Sequence, residues 1–282
     1  MADSESQVPI RRNMIKCFYS VKKYYHVSAF LSILPGILSQ TAAKTALWTG
    51  AERYDNMVKI NMDDGFNPEF VETAFFDGVF EIPSLERPER FIVPKQIVPF
   101  SARERAEKTT AFVSFYEYDN IFGEVVKHPN RFVEDFSRFQ GVITPDCSLY
   151  VDSPLAVQIG NVYRSRAIGY YFQKHGLYTV PNVRWGDERS YTTEALPERF
   201  AFAGLPKHSI YSVGTFGCCK SKEERFHLRN GLRAMIDELE PEIVLIYGAM
   251  PDSVFHGLLD LTRFIQFPDW TTLKRGNSHG NE

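Results

Sequence analysis

A chain of 282 residues with 44% hydrophobic and 14% aromatic side chains buries a large core and folds as one large domain or two modest ones. Its formal net charge of -3 excludes a whole-molecule basic field that draws nucleic acid from a distance, so any contact with a polyanion is local. Four cysteines, Cys17, Cys147, Cys218 and Cys219, fit neither a disulfide framework nor a CxxC zinc site, which points to reduced thiols and a cytoplasmic setting. The vicinal pair Cys218-Cys219 would close only a strained ring.

In chain order, Arg11, Arg12, Lys16, Lys22 and Lys23 precede an apolar segment at 27–38 that imitates a signal peptide. The leading region carries Asp3 and Glu5, and Pro35-Gly36 interrupts the apolar part, so a buried helix broken at Pro35 competes with export. The segment is too short to cross a bilayer, and no membrane span is expected. The run IRRNMIKCFYSVKKYY reads either as a helix with tyrosines inward and lysines in solvent or as a surface for phosphates and bases. Asn61-Met62-Asp63-Asp64-Gly65 reads as a turn, because the ligand spacing of a calcium loop is missing. Pro83, Pro88, Pro94 and Pro99 make 81–100 an extended connector over the surface, and 101–110 a solvated boundary. The expected division is a helical or irregular region at 1–108, an α/β domain at 109–270 and a flexible tail at 271–282.

From Ala111 onward, apolar runs at 111–115, 142–144, 177–183, 209–213, 243–247 and 264–267 alternate with helical patterns at 130–139, 154–175, 222–239 and 252–261. Strands alternating with helices predict a mostly parallel sheet, flanked by helices and joined by right-handed crossovers. A doubly wound sheet and a barrel both satisfy this pattern. The centre is a βαβ unit at 141–189, whose helix starts at Ser153-Pro154, with Ser153 as the cap, and stops at Gly176. The helix at 222 has a capping-box pattern, Ser221 with Glu224, and Pro241 closes it. The connection 187–208 is irregular.

In α/β sheets and barrels the ligand site lies at the C-terminal strand ends. Those ends carry Asp119 and Asn120, then Asp146, then Asn182 and Arg184, then Gly214-Thr215, then Tyr247-Gly248. Asp119, Asp146 and Asp187 are the candidate acid/base groups, and with Glu188 they also offer oxygen ligands for a divalent metal such as magnesium or manganese. Arg184 and Arg189 either meet phosphate or neutralise these acids. The stretch VGTFGCCKS resembles a phosphate cradle that ends in Lys220, but Cys219 stands where a P-loop needs glycine, which excludes that type of nucleoside triphosphatase. On the central helix Gln158, Asn161, Arg164 and Arg166 form a polar stripe that faces either ligand or water, with Arg166 read toward solvent. No HExxH or GxSxG motif is present.

The strings YDNIFG, GVITPDCSLYVDSPLAVQIGNVYRSRAIGYYFQKHG, VPNVRWGDER, SVGTFGCCKSKEER and VLIYGAMPDSVF, in that order, resemble a bacterial and phage family known as a domain of unknown function. Its members are carried by phages, plasmids and integrative elements. The resemblance covers 116–268, implies a mobile-element setting and brings no reaction with it. Two functional classes follow. One is a phosphate-cleaving or phosphate-transferring enzyme acting on a nucleotide or nucleic acid. The other is a non-catalytic module that captures a host protein or a small anionic ligand.

Overall fold

The computed structural model describes residues 67–272; the signal-like segment, the basic aromatic run, the turn at Asn61, Cys17 and the tail beyond Thr272 lie outside the described residues. A hairpin comes first, with β1 (Phe76–Asp77) and β2 (Ile82–Pro83) antiparallel across a turn that holds Gly78 and Glu81 at positive φ. Four parallel strands follow in chain order, β3 (Gln96–Pro99), β4 (Ala111–Ser114), β5 (Gly141–Ile143) and β6 (Thr179–Val180). Three more, β7 (Ile210–Gly214), β8 (Ile243–Tyr247) and β9 (Arg263–Phe267), are also parallel and in order. The parallel bridge between Asn182 and Ser212 joins the two groups, with Val183 N donating to Ser212 O and Ser212 N donating to Pro181 O, both at 2.9 Å. The α/β class expected from the sequence is the observed one.

The strands curl. Tyr116, just past β4, stacks on Tyr247 at the end of β8 with ring centroids 5.0 Å apart, although β5, β6 and β7 lie between them in the sheet. In a flat sheet four strand spacings would separate them by roughly 19 Å. Side chains alternate accordingly: Ile97, Phe112, Ile143, Val180, Ile210, Leu245 and Phe267 fill the inside. Their neighbours point outward, Val113 and Val142 against one helical layer and Val213, Val244 and Ile246 against another. The architecture is barrel-like, and among the described residues no ladder joins β3 to β9. The prolines at 81–100 predict a surface connector, yet this stretch supplies β2 and β3, with Ile82, Ile97 and Val98 buried. Proline fits there because β3 is an edge strand and Pro99 is its last residue.

The helices close the outer layers. α1 (Asp119–Lys127) was hidden in sequence by Gly123, which costs about 1 kcal/mol in a helix, but it buries Phe122 and Val125 one turn apart. The pattern at 130–139 becomes a single short helix, α2 (Val133–Phe136), after a tight turn. α3 (Leu155–Lys174) matches its expected span, and Gly176 at φ 76 ends it. Ser153 does not cap it through its side chain; its carbonyl instead accepts from Gln158 Nε2 at 3.0 Å. The irregular connection holds α4 (Glu188–Tyr191). α5 (Lys222–Leu239) has both halves of the capping box, and α6 (Asp252–Phe255) stops early, ahead of Gly257 at φ 75.

Arg166 corrects the solvent-facing reading of its stripe. It is 2% exposed and donates to the carbonyls of Ala201 (3.0 Å), Ala203 (3.2 Å) and Asn182 (3.0 Å). The guanidinium thus clips the irregular connection onto the end of β6, and burial without a carboxylate lowers its pKa to about 10.

Candidate functional site at the C-terminal strand ends

A cavity of about 500 Å³ opens at the C-terminal ends of the parallel strands, and every one of the seven contributes to its wall. Ser101 comes from after β3, Glu117 from after β4, Asp146 from after β5 and Arg184 from after β6. Lys220 follows β7, Tyr247 ends β8, and Asp269 follows β9. That is the expected location for a parallel barrel-like sheet, because the loops leaving the C-terminal strand ends converge there.

The floor is a chain of polar groups. The buried Tyr116 hydroxyl lies 2.6 Å from Ser212 Oγ and 3.1 Å from Asn182 Oδ1. Asn182 Nδ2 donates to Asp146 Oδ1 at 2.7 Å, and Asp146 Oδ2 lies 3.7 Å from the Arg184 guanidinium. Burial, reinforced by the Asp146 charge, pushes the Tyr116 phenol well above its ordinary range, so it acts as a neutral donor. The Asp146 carboxylate raises the pKa of Arg184, which stays charged. Tyr116 reaches this position only because Gly214 lies beneath it: a Cβ there would come 2.4 Å from the ring. Tyr247 is held by Trp270 N, which donates to its hydroxyl at 2.9 Å, and burial pushes its phenol up to about 12.

The mouth is aromatic and open. Tyr118 is 81% exposed and Phe216 58%, and Tyr150 and Ile121 stand beside them on the rim. Lys220 is exposed there and has no ion-pair partner among the described residues.

The sequence-derived candidates divide. Asp146, Arg184, Lys220 and Tyr247 line the cavity. Asn182 supports it from beneath. Thr215 is buried and donates to Ala249 O at 2.7 Å, which ties the β7 loop to the β8 loop. Asp119 heads α1 and accepts from Ser148 Oγ at 2.8 Å, with Asn120 exposed beside it. Asn161 donates to Ser148 O at 2.7 Å and accepts from Arg164 at 3.0 Å, so this pair braces a loop. Asp187 caps α4 and is locked to Arg189 at 2.7 Å. Glu188 lies 3.8 Å from His227. Of the three candidate acids only Asp146 lines the cavity, and among the described residues no group of three or more His, Cys, Asp or Glu side chains is placed to hold a metal ion.

The cradle at VGTFGCCKS is also modified by what surrounds it. Glu224 accepts from Lys220 N at 2.6 Å and Ser221 N at 2.8 Å, so the α5 N-terminus is already neutralised by its own carboxylate. An anion here meets side-chain cations rather than a bare helix end. Cys147, Cys218 and Cys219 are free thiols, and burial raises Cys147 to about 12 and Cys219 to about 11. Among the described residues no helix is long and apolar enough to cross a membrane.

The profile of one protein family, described as Domain of unknown function (DUF4417), matches residues 74–268. The chain belongs to the DUF4417 family. The match begins before β1 and ends just after β9, so the family unit contains the whole run of parallel strands, including β3 and β4, which the resemblance at 116–268 leaves out. Among relatives, the "Gene 1 protein" of Mycobacterium phage L5 is 32% identical over 176 residues, covering 61% of this chain and 73% of that protein. The "Gene 1 protein" of Mycobacterium phage D29 is 30% identical over 176 residues, covering 61% of this chain and 62% of that protein. No solved structure matches the chain. Within the DUF4417 unit, sequence reasoning missed Tyr116, Glu117 and Ser101 as cavity residues. The signal available was the YEYDN string itself, in which the first tyrosine follows an apolar strand directly.

Proposed function

We propose that the DUF4417 barrel binds a nucleotide or nucleic-acid phosphate in the cavity at its C-terminal strand ends. The observation that carries this is the pairing of two cations, Arg184 and Lys220, with a wall and rim of flat rings from Tyr116, Tyr118, Tyr150, Phe216 and Tyr247. Aromatic faces stack on bases without regard to sequence, and guanidinium and ammonium groups meet phosphate. If a phosphate group is cleaved or transferred, Asp146 is the cavity carboxylate beside Arg184, and Asn182, itself bonded to Tyr116, fixes its position. Asp119 and Asp187 act on loop geometry instead. Free thiols support a reducing, cytoplasmic setting.

A second reading, capture of a host protein over the rim, is favoured by the exposure of Tyr118 and Phe216. Thermal unfolding in the presence of a nucleotide panel and divalent ions separates the two. A ligand of the cavity raises the melting temperature of the wild type and leaves Lys220→Ala and Arg184→Gln unchanged. Absence of any such shift across the panel removes the nucleotide reading.

A further inference from the structure

We propose that the cavity continues into a second subsite and that the two together take a dinucleotide, with the linking phosphate at Arg184. This deepens the nucleotide reading and rests on it. A second cavity of about 460 Å³ adjoins the first, and Tyr150, Arg184, Gly217 and Cys218 line both. Each falls in the size range of small-ligand pockets, roughly 300–1,000 Å³, so one nucleotide leaves one chamber unfilled.

Charge along this double chamber selects the middle of the ligand. Arg184 stands on the shared wall, and Lys220 lies in the loop that passes from the first chamber to the second. Glu117 and Asp269 lie in the first chamber on the far side of the ring of strands, and Glu223 and Glu224 lie in the second. A terminal phosphate pushed deep into either chamber faces carboxylates, whereas one at the junction faces the guanidinium. Asp146 holds Arg184 from 3.7 Å, beyond hydrogen-bond range, and the Cys218 thiol takes one hydrogen bond from the guanidinium, so of its five N–H donors others remain for a bidentate contact with phosphate. Bases carry N–H donors at their edges, for which the outlying carboxylates are acceptors.

His227 supplies the second chamber with a fixed polar group. Its Nδ1 lies 3.1 Å from the Tyr191 hydroxyl and 3.8 Å from Glu188, which sets the ring's orientation. Nε2 has no partner among the described residues, and the side chain is 13% exposed on the wall of the chamber. A base edge entering there meets the imidazole on the chamber wall.

The test is titration calorimetry of the full chain with the dinucleoside monophosphate ApA and with AMP. ApA binds the wild type at least about tenfold more tightly than AMP, and His227→Ala erases that advantage. Glu223→Lys, at an exposed position, gives the same readout should His227→Ala fail to fold. AMP binding with no advantage for ApA, or an advantage that survives both substitutions, overturns the second subsite and leaves the first standing. Failure of both ligands to bind overturns both readings.

Discussion

The ring of Tyr116 lies 5.0 Å from the ring of Tyr247 at an interplanar angle of 17°, and the hydroxyl of Tyr116 reaches across to Asn182 and Ser212. One side chain thereby ties β4 to the ends of β6, β7 and β8. It also forms part of the cavity floor, so curvature of the sheet and shape of the site depend on the same residue.

Tyr116→Phe keeps the stack and removes the hydroxyl, leaving Asn182 Oδ1 with one donor fewer in a buried setting. The expected cost is about 1–3 kcal/mol in urea unfolding. Gly214→Ala places a methyl against the Tyr116 ring and costs a similar amount, about 1–3 kcal/mol, by overpacking. Combined with Tyr116→Ala the two losses are less than additive, because the clash disappears with the ring.

Arg166→Met fills similar volume but leaves the carbonyls of Ala201, Ala203 and Asn182 without their donor. A loss of at least about 3 kcal/mol is expected from three buried acceptors left unpaired. Arg166→Lys recovers only part of it, since an ammonium lacks the planar fork. Chemical denaturation midpoints of the two variants decide this, and equal stability of Arg166→Met and wild type would refute the clip.

Acid stability has a defined contribution from Asp187. Burial alone would raise its carboxyl, yet hydrogen bonds from the Arg189 side chain and backbone hold it below the usual range. The folded state therefore binds this proton less readily than the unfolded chain does. Its stabilisation is complete above the ordinary aspartate value, about 3.9, and is lost as pH falls through the lower folded value. With Arg189 partly exposed the pair contributes only about 1 kcal/mol. Melting temperatures taken between about pH 5 and pH 2 should fall less steeply for Arg189→Gln than for wild type.

Ser221→Ala removes one half of the capping box at α5, whose Oγ accepts from Glu224 N at 3.0 Å. About 1 kcal/mol of stability is lost, measured by thermal or urea unfolding. Glu224→Gln keeps acceptors for Lys220 N and Ser221 N while removing the charge at the helix end, and the nucleotide reading expects it to bind phosphate-bearing ligands no more weakly than wild type.

The α/β class, the common strand direction, the spans of α3 and α5 and the placement of Asp146, Arg184, Lys220 and Tyr247 at strand ends were legible in the sequence, because alternation of apolar runs with capped helices is a local signal. Local pattern also explains the misses. Prolines concealed β3, a glycine concealed α1, and a charged side chain made Arg166 read as a surface residue when three carbonyls distant in sequence were its partners. Whether the sheet stayed open or curled, which acids shared a cavity, and that Tyr116 lay over Gly214 were decided by tertiary structure alone. Each depends on the distance between strands far apart in the chain, and the period of a single strand carries no information about that distance.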